Sequence, residues 1–107
     1  MSPKLIQVNY KFTGTRAEFE AANLPFAPML ADLPGLRWKI WLMNEAGHEA
    51  GGIGLFDDEA TLNAFVDNVL NAPEGDPTIS EVTYKVFDVL EEHSAITRGP
   101  VGTGVPV

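Results

Sequence analysis

Leu36-Arg-Trp-Lys-Ile-Trp-Leu-Met43, a short loop through Gly47, and then Glu49-Ala-Gly-Gly-Ile-Gly-Leu-Phe56 form the stretch that decides the fold. Both halves are strand-length runs rich in apolar and aromatic residues, and the few residues between them leave room only for a hairpin. A helical pattern lies on either side. Upstream, Thr15-Arg-Ala-Glu18 fits a capping box, in which the threonine hydroxyl and the glutamate satisfy the first free N–H groups. Apolar residues then recur at Phe19, Ala22, Phe26, Met29, Leu30 and Leu33. Pro25 and Pro28 each remove a backbone donor and crowd the preceding turn, which predicts a kinked or two-part helix. Pro34-Gly35 reads as a turn into the hairpin. Downstream, Asp57 is the expected cap of a second helix with the stripe Leu62, Phe65, Val66, Val69 and Leu70.

The outer segments complete the order. Leu5-Ile-Gln-Val-Asn-Tyr-Lys-Phe12 alternates with period two, putting Ile6, Val8, Tyr10 and Phe12 on one face and Leu5, Gln7, Asn9 and Lys11 on the other. After an expected loop at Asn71-Ala-Pro-Glu-Gly-Asp-Pro77, a fourth strand runs from about Ile79 to Val89, with Val82, Tyr84 and Val86 on one face and Thr83, Lys85 and Phe87 on the other. Strand, helix, strand, strand, helix, strand is the βαββαβ order of an α+β, ferredoxin-like fold with an antiparallel sheet. Right-handed crossovers put the first and third strands in the centre and both helices on one face. Residues 1–90 therefore read as one domain. Residues 91–107 alternate Gly and Pro with small residues and read as a C-terminal tail or arm.

Composition narrows the function classes. The chain has 107 residues, 45% of them hydrophobic, enough for one modest core. Its net charge of −8 repels phosphate backbones and anionic lipids, so neither nucleic acid nor a membrane is an expected partner. No apolar run approaches the roughly 20 residues of a membrane span. Met1-Ser-Pro-Lys4 leads straight into the first strand, without the basic and apolar regions of a signal peptide. A cytoplasmic protein is expected. With no cysteine, thiol nucleophiles and thiolate metal sites are excluded.

Both tryptophans fall on the second strand, three positions apart, so they point to opposite faces. Leu36, Trp38, Ile40 and Leu42 form a uniformly apolar set, expected beneath the helices. Arg37, Lys39, Trp41 and Met43 then fall on the open face. An exposed indole forgoes roughly 2–3 kcal/mol of burial, and half-apolar sheet faces find partners. A homodimer packed sheet on sheet, with Trp41, Met43 and Phe87 in the interface, follows as the expectation.

The set Pro34-Gly-Leu-Arg-Trp-Lys-Ile-Trp41, His48-Glu-Ala-Gly-Gly-Ile-Gly-Leu-Phe56 and Lys85-Val-Phe-Asp-Val89 resembles the YdhR-type monooxygenase family over about residues 5 to 90. The resemblance implies the dimeric α+β barrel and similarity to the cofactor-independent monooxygenases of antibiotic biosynthesis. Those enzymes oxidise electron-rich phenols or quinols without metal or flavin. The extra Pro28 and the Gly/Pro tail depart from the pattern. The implied activity is monooxygenation of a small aromatic substrate by dioxygen, with no cofactor. Small-molecule isomerases and non-catalytic ligand-binding dimers occupy the same fold and stand as alternatives.

Each candidate site residue has two readings. His48 is a base or hydrogen-bond donor, or a loop histidine capping the hairpin. Glu49 orients it or is simply solvated. Gly51, Gly52 and Gly54 mark a bulge or close approach of a ligand or backbone, or only a closely packed helix. Tyr10 and Tyr84 donate to a ligand or to a backbone carbonyl. Trp38 is core or pocket wall. Lys39 and Lys85 attract an anionic substrate or rim the interface. The expected pocket lies between sheet and helices, walled by Trp38 and Tyr10, opened by Gly52, with His48 near its mouth. Metal binding is not expected: His48-Glu49 lacks a second histidine at helical spacing, and Glu91-Glu92-His93 is isolated. Neither histidine falls on the second helix, the place for a haem ligand. Gly51-Gly-Ile-Gly54 lies within a strand, before an acidic helix start, and is no phosphate cradle.

Overall fold

The computed structural model describes residues 3–71 and 77–101. In chain order it contains β1 (Lys4–Phe12), α1 (Arg16–Asn23), a 3₁₀ turn (Leu24–Phe26), α2 (Ala27–Ala31), β2 (Leu36–Asn44) and β3 (Glu49–Phe56). There follow α3 (Glu59–Phe65), continued by a π turn (Val66–Leu70), then β4 (Ile79–Asp88) and α4 (Glu91–Ile96). The strands form one antiparallel sheet in the order β2-β3-β1-β4. The central pair is the one the crossover rule requires, and the fold is ferredoxin-like α+β. Most of the loop expected at Asn71 to Pro77 lies outside the described residues, as do Met1, Ser2 and 102–107. Among the described residues no helix is long and apolar enough to cross a membrane.

Local chemistry sets the helix boundaries. The Glu18 amide donates to Thr15 Oγ1 at 3.1 Å and the Thr15 amide donates to Glu18 Oε1 at 2.9 Å, a complete capping box. The split predicted at Pro25 and Pro28 is present as α1, the 3₁₀ turn and α2. No residue of these three segments is buried, so this wall of the domain lies lightly on the sheet. The cap of α3 is Asp58 rather than Asp57. Asp58 has the extended backbone of a cap, and its carboxylate accepts from the Thr61 amide at 2.8 Å. The Asp57 carboxylate instead pairs with Arg37 on β2.

The core sits between the sheet and α3. Ile6, Val8, Phe56, Leu62, Phe65 and Val66 form one buried cluster, each full-sized apolar side chain contributing roughly 1.5–3 kcal/mol. The Phe56 and Phe65 rings lie 5.4 Å apart, within the range of favourable aromatic pairs.

The register of β2 reverses the facing expected from its sequence. Residues directly opposite one another on paired strands share a face. Ile6 and Val8 face α3, and they pair with Gly54 and Gly52. Gly54 and Gly52 in turn pair with Lys39 and Trp41, and Ala50 pairs with Met43. Lys39, Trp41 and Met43 are therefore on the helix side. Trp38, Ile40 and Leu42 point the other way. A bulge between Leu36 and Trp38 inserts one extra residue, which keeps Leu36 over the core while turning every later side chain.

The segment after β4 is more ordered than its composition predicts. α4 is followed by a return to β2, where Trp38 Nε1 donates to the Pro100 carbonyl at 2.7 Å and Arg37 Nη1 donates to the Val101 carbonyl at 3.3 Å. Because β4 and β2 are opposite edges, the chain passes from one side of the sheet to the other. Leu55 points to the helix-free side yet is 0% exposed. Leu5 and Trp38 flank it on the neighbouring strands, at the end where the returning chain is held.

Candidate active site

A cavity of about 430 Å³ opens between the sheet and the helices. Val8 and Tyr10 of β1 form its floor, Trp41 and Lys39 of β2 one wall, Met29 and Leu30 of α2 the roof, and Phe65 and Val69 the far side. Its size and its apolar lining with a few polar groups suit a small organic molecule. The split helix is what leaves the space, since α1 and α2 bury nothing over this part of the sheet.

Lys39 is the polar group with the most chemical consequence here. Its Nζ lies 4.6 Å from the centroid of the Trp41 ring, a cation–π contact. Its stem runs over Gly52: a Cβ built there would lie 3.4 Å from Lys39 Cε. Burial pushes the Lys39 ammonium below the usual lysine value, since desolvation disfavours the charged form. Among the described residues no carboxylate pairs with it. The cavity thus holds a cation whose nearest described partner is an indole face.

The glycines of β3 are explained by backbone approach. A Cβ on Gly51 would stand 1.9 Å from the Val8 carbonyl oxygen, and one on Gly52 would stand 2.6 Å from that of Ile40. Both positions exclude a side chain, so the sheet itself requires them. Gly54 is different, with its nearest neighbour, Leu36 Cδ1, at 3.5 Å.

The expected site residues separate. Tyr10 lines the cavity as its alternation predicted, with its ring 6.3 Å from Phe19. Gly52 lies on the same side, within a much smaller crevice of about 10 Å³. Tyr84 shares the helix side through its pairing with Val8 but is 43% exposed and does not line the cavity. The β2 positions exchange roles: Trp41, expected in the interface, is a cavity wall, whereas Trp38, expected as that wall, is turned away and bonded to Pro100. Met43 likewise moves to the helix side, while Phe87, opposite Leu5, stays on the helix-free face.

His48 is not brought to the cavity. It occupies the β2–β3 turn with φ 51°, its carbonyl accepts from the Phe12 amide at 3.0 Å, and its ring packs 5.4 Å from that of Phe12. This is the geometry of a residue that closes a hairpin. Of the two readings of Lys39, substrate attraction and interface rim, the bulge-set register puts it on the cavity side.

Comparison with solved structures places this fold among known ones. The chain is similar to the NE2512 protein of unknown function from Nitrosomonas europaea, at 18% identity and TM-score 0.68, over 84% of this chain and 91% of that one. A mutant of SnoaB, a cofactor-independent oxygenase from Streptomyces nogalater, matches at 18% identity and TM-score 0.61, over 84% and 95%. The heme-degrader MhuD from Mycobacterium tuberculosis, with two hemes bound in its active site, matches at 14% identity and TM-score 0.62, over 80% and 95%. At such identities the likeness shows the fold alone. No curated protein sequence matches the chain significantly. The model of the family described as "Putative mono-oxygenase ydhR" matches residues 5–100, nearly the whole chain, and the protein belongs to that family.

Proposed function

We propose that the chain is a monooxygenase that oxidises a small, electron-rich phenol or hydroquinone bound as its anion in the Lys39–Trp41–Tyr10 cavity. The observation that carries this reading is the half-buried Lys39 ammonium with no carboxylate partner among the described residues. An anion entering the cavity replaces the water that burial has removed from the lysine. The same cation holds the substrate in its ionised, electron-rich form. Apolar walls and the Trp41 face hold a flat ring in place, which lowers the entropic part of the barrier.

The chemistry balances without a further reductant. An aromatic anion passes one electron to dioxygen, and the two radicals combine at the carbon para to the oxygen. The phenol then loses the hydrogens of its O–H and para C–H and gains one oxygen atom there. The second oxygen atom leaves as water with those two hydrogens, and the product is a quinone. The substrate supplies every electron. Haem chemistry of the kind named for MhuD fits this cavity poorly, because no histidine lines it: His48 lies in the hairpin turn and His93 on α4.

A homodimer through the helix-free sheet face is part of the same reading. Ile40, Leu42 and Phe87 are 48%, 43% and 46% exposed there, an apolar surface of the kind that associates.

The test is dioxygen uptake with anthrone-type substrates, whose phenol form carries the para C–H, in chelator-treated buffer. One oxygen atom from labelled dioxygen in the quinone is the expected result, with most turnover lost in Lys39→Met. Turnover that persists without dioxygen points to an isomerase and overturns the reading, as does saturable binding with no product.

A further inference from the structure

We infer that Lys39 is also a carbonyl-capturing nucleophile, forming an imine with neutral aromatic aldehydes or ketones that enter its cavity. This use of the site does not depend on dioxygen, but it rests, as the oxygenase reading does, on the cavity binding aromatic ligands beside Lys39. Three observations carry it. Lys39 lines a cavity of about 430 Å³ together with Tyr10 and Trp41. No carboxylate among the described residues holds it as an ammonium. The indole of Trp41, 4.6 Å from Nζ, offers a face on which an aromatic carbonyl compound stacks within reach of the amine.

The remaining lysines provide the internal contrast. Lys4 is ion-paired with Asp88, which raises its pKa through that hydrogen bond, whereas burial lowers that of Lys39. Lys11 reaches toward the Gly47 carbonyl at 3.4 Å and Lys85 is exposed on β4. A lysine in an apolar cavity without a counter-charge is the kind that serves as an amine nucleophile. Two groups bear on its charge. The Trp41 face favours the ammonium, and loss of water lowers the pKa toward the amine. Among the described residues, Tyr10 is the other ionisable side chain lining the cavity.

The step is a condensation. The neutral amine of Lys39 attacks the carbonyl carbon, the C=O π bond breaks, and a proton passes from nitrogen to oxygen to give a carbinolamine. Loss of the hydroxyl as water, taking the second N–H proton in the net balance, leaves the C=N bond. No oxidant or reductant takes part. A ligand held in this way is neutral before it reacts, which distinguishes it from the phenolates proposed above.

The experiment uses the full chain, 2-hydroxybenzaldehyde as probe and cyanoborohydride to reduce any imine to a stable secondary amine, at neutral pH. Peptide mapping by mass spectrometry then reads the label at each of Lys4, Lys11, Lys39 and Lys85. The expected result is saturable labelling at Lys39, several-fold above Lys11 and Lys85, and suppressed by excess 4-nitrophenol. Lys39→Arg keeps the charge but should lose the cavity label and leave the surface lysines unchanged. Even labelling of the four lysines, or a Lys39 label that neither saturates nor yields to 4-nitrophenol, overturns the proposal. The competition in the unaltered protein decides the matter even if the variant folds poorly.

Discussion

Lys39 and Trp41, two positions apart on β2, share one face of the strand, and the lysine Nζ rests 4.6 Å from the centre of the tryptophan ring. A pair at this spacing on a strand always points the same way. What matters is the side to which it points. Facing the helices, it brings a cation and an aromatic plane into a cavity otherwise lined mainly by apolar side chains.

Replacing Lys39 should stabilise the fold while weakening ligand binding. The unfolded state binds the lysine proton more tightly than the folded state does, so stability rises with pH between the lowered folded value and the ordinary lysine value. Below that window the full cost of burying the charge remains. Lys39→Met removes the cost, and a higher melting temperature at pH 7 is the expected outcome. Quenching of tryptophan fluorescence by 4-nitrophenol should weaken at least tenfold, a loss of about 1.4 kcal/mol. Unchanged affinity would separate Lys39 from the anion site.

The two glycines that approach backbone carbonyls should behave unlike Gly54. Gly51→Ala forces a methyl within 1.9 Å of the Val8 oxygen, so the strands must part. Loss of soluble folded protein is expected. Gly54→Ala places its methyl 3.5 Å from a leucine side chain, ordinary contact, and should change stability by less than about 1 kcal/mol. Urea denaturation of both variants checks the contrast.

Trp38 is expected to serve the return of the C-terminal segment. Trp38→Phe deletes the donor to the Pro100 carbonyl, a hydrogen bond of about 1 kcal/mol. Amide exchange in residues 97–101 should accelerate, while ligand affinity stays unchanged. Trp41→Leu should do the reverse. Measuring both variants assigns one tryptophan to each side of the sheet.

His48 has a left-handed backbone at φ 51°, which glycine adopts without strain. His48→Gly should preserve turnover and shift the melting temperature only slightly, relief of the backbone offsetting the lost Phe12 contact. A large fall in turnover would restore His48 as a catalytic group.

The proposed dimer gives a last test. Leu42→Glu places a charge on the helix-free apolar surface and should yield monomers by light scattering. Met43→Gln, on the other side of the strand, should leave the dimer intact.

The sequence by itself determined the elements of the βαββαβ unit, their order and the sheet topology, but not α4. Period-two alternation in β1 names Ile6, Val8, Tyr10 and Phe12 as the helix-side set. The capping box at Thr15 and Glu18, and the two prolines that divide the first helical segment, are chemistry local to a few residues. These signals depend on neighbours in the chain and can be read there. The facing of β2 cannot. It is an edge strand, and both of its alternating sets carry large apolar side chains: Leu36, Trp38, Ile40 and Leu42 on one, Trp41 and Met43 on the other. Burial therefore favours neither register strongly, and one extra residue at the bulge turns every side chain beyond it. That bulge is set by pairing with β3, where Gly51 and Gly52 let the adjoining backbones approach. Whether Lys39 is a rim charge or the cation of a cavity was decided there, by contacts between strands that no single segment of sequence contains.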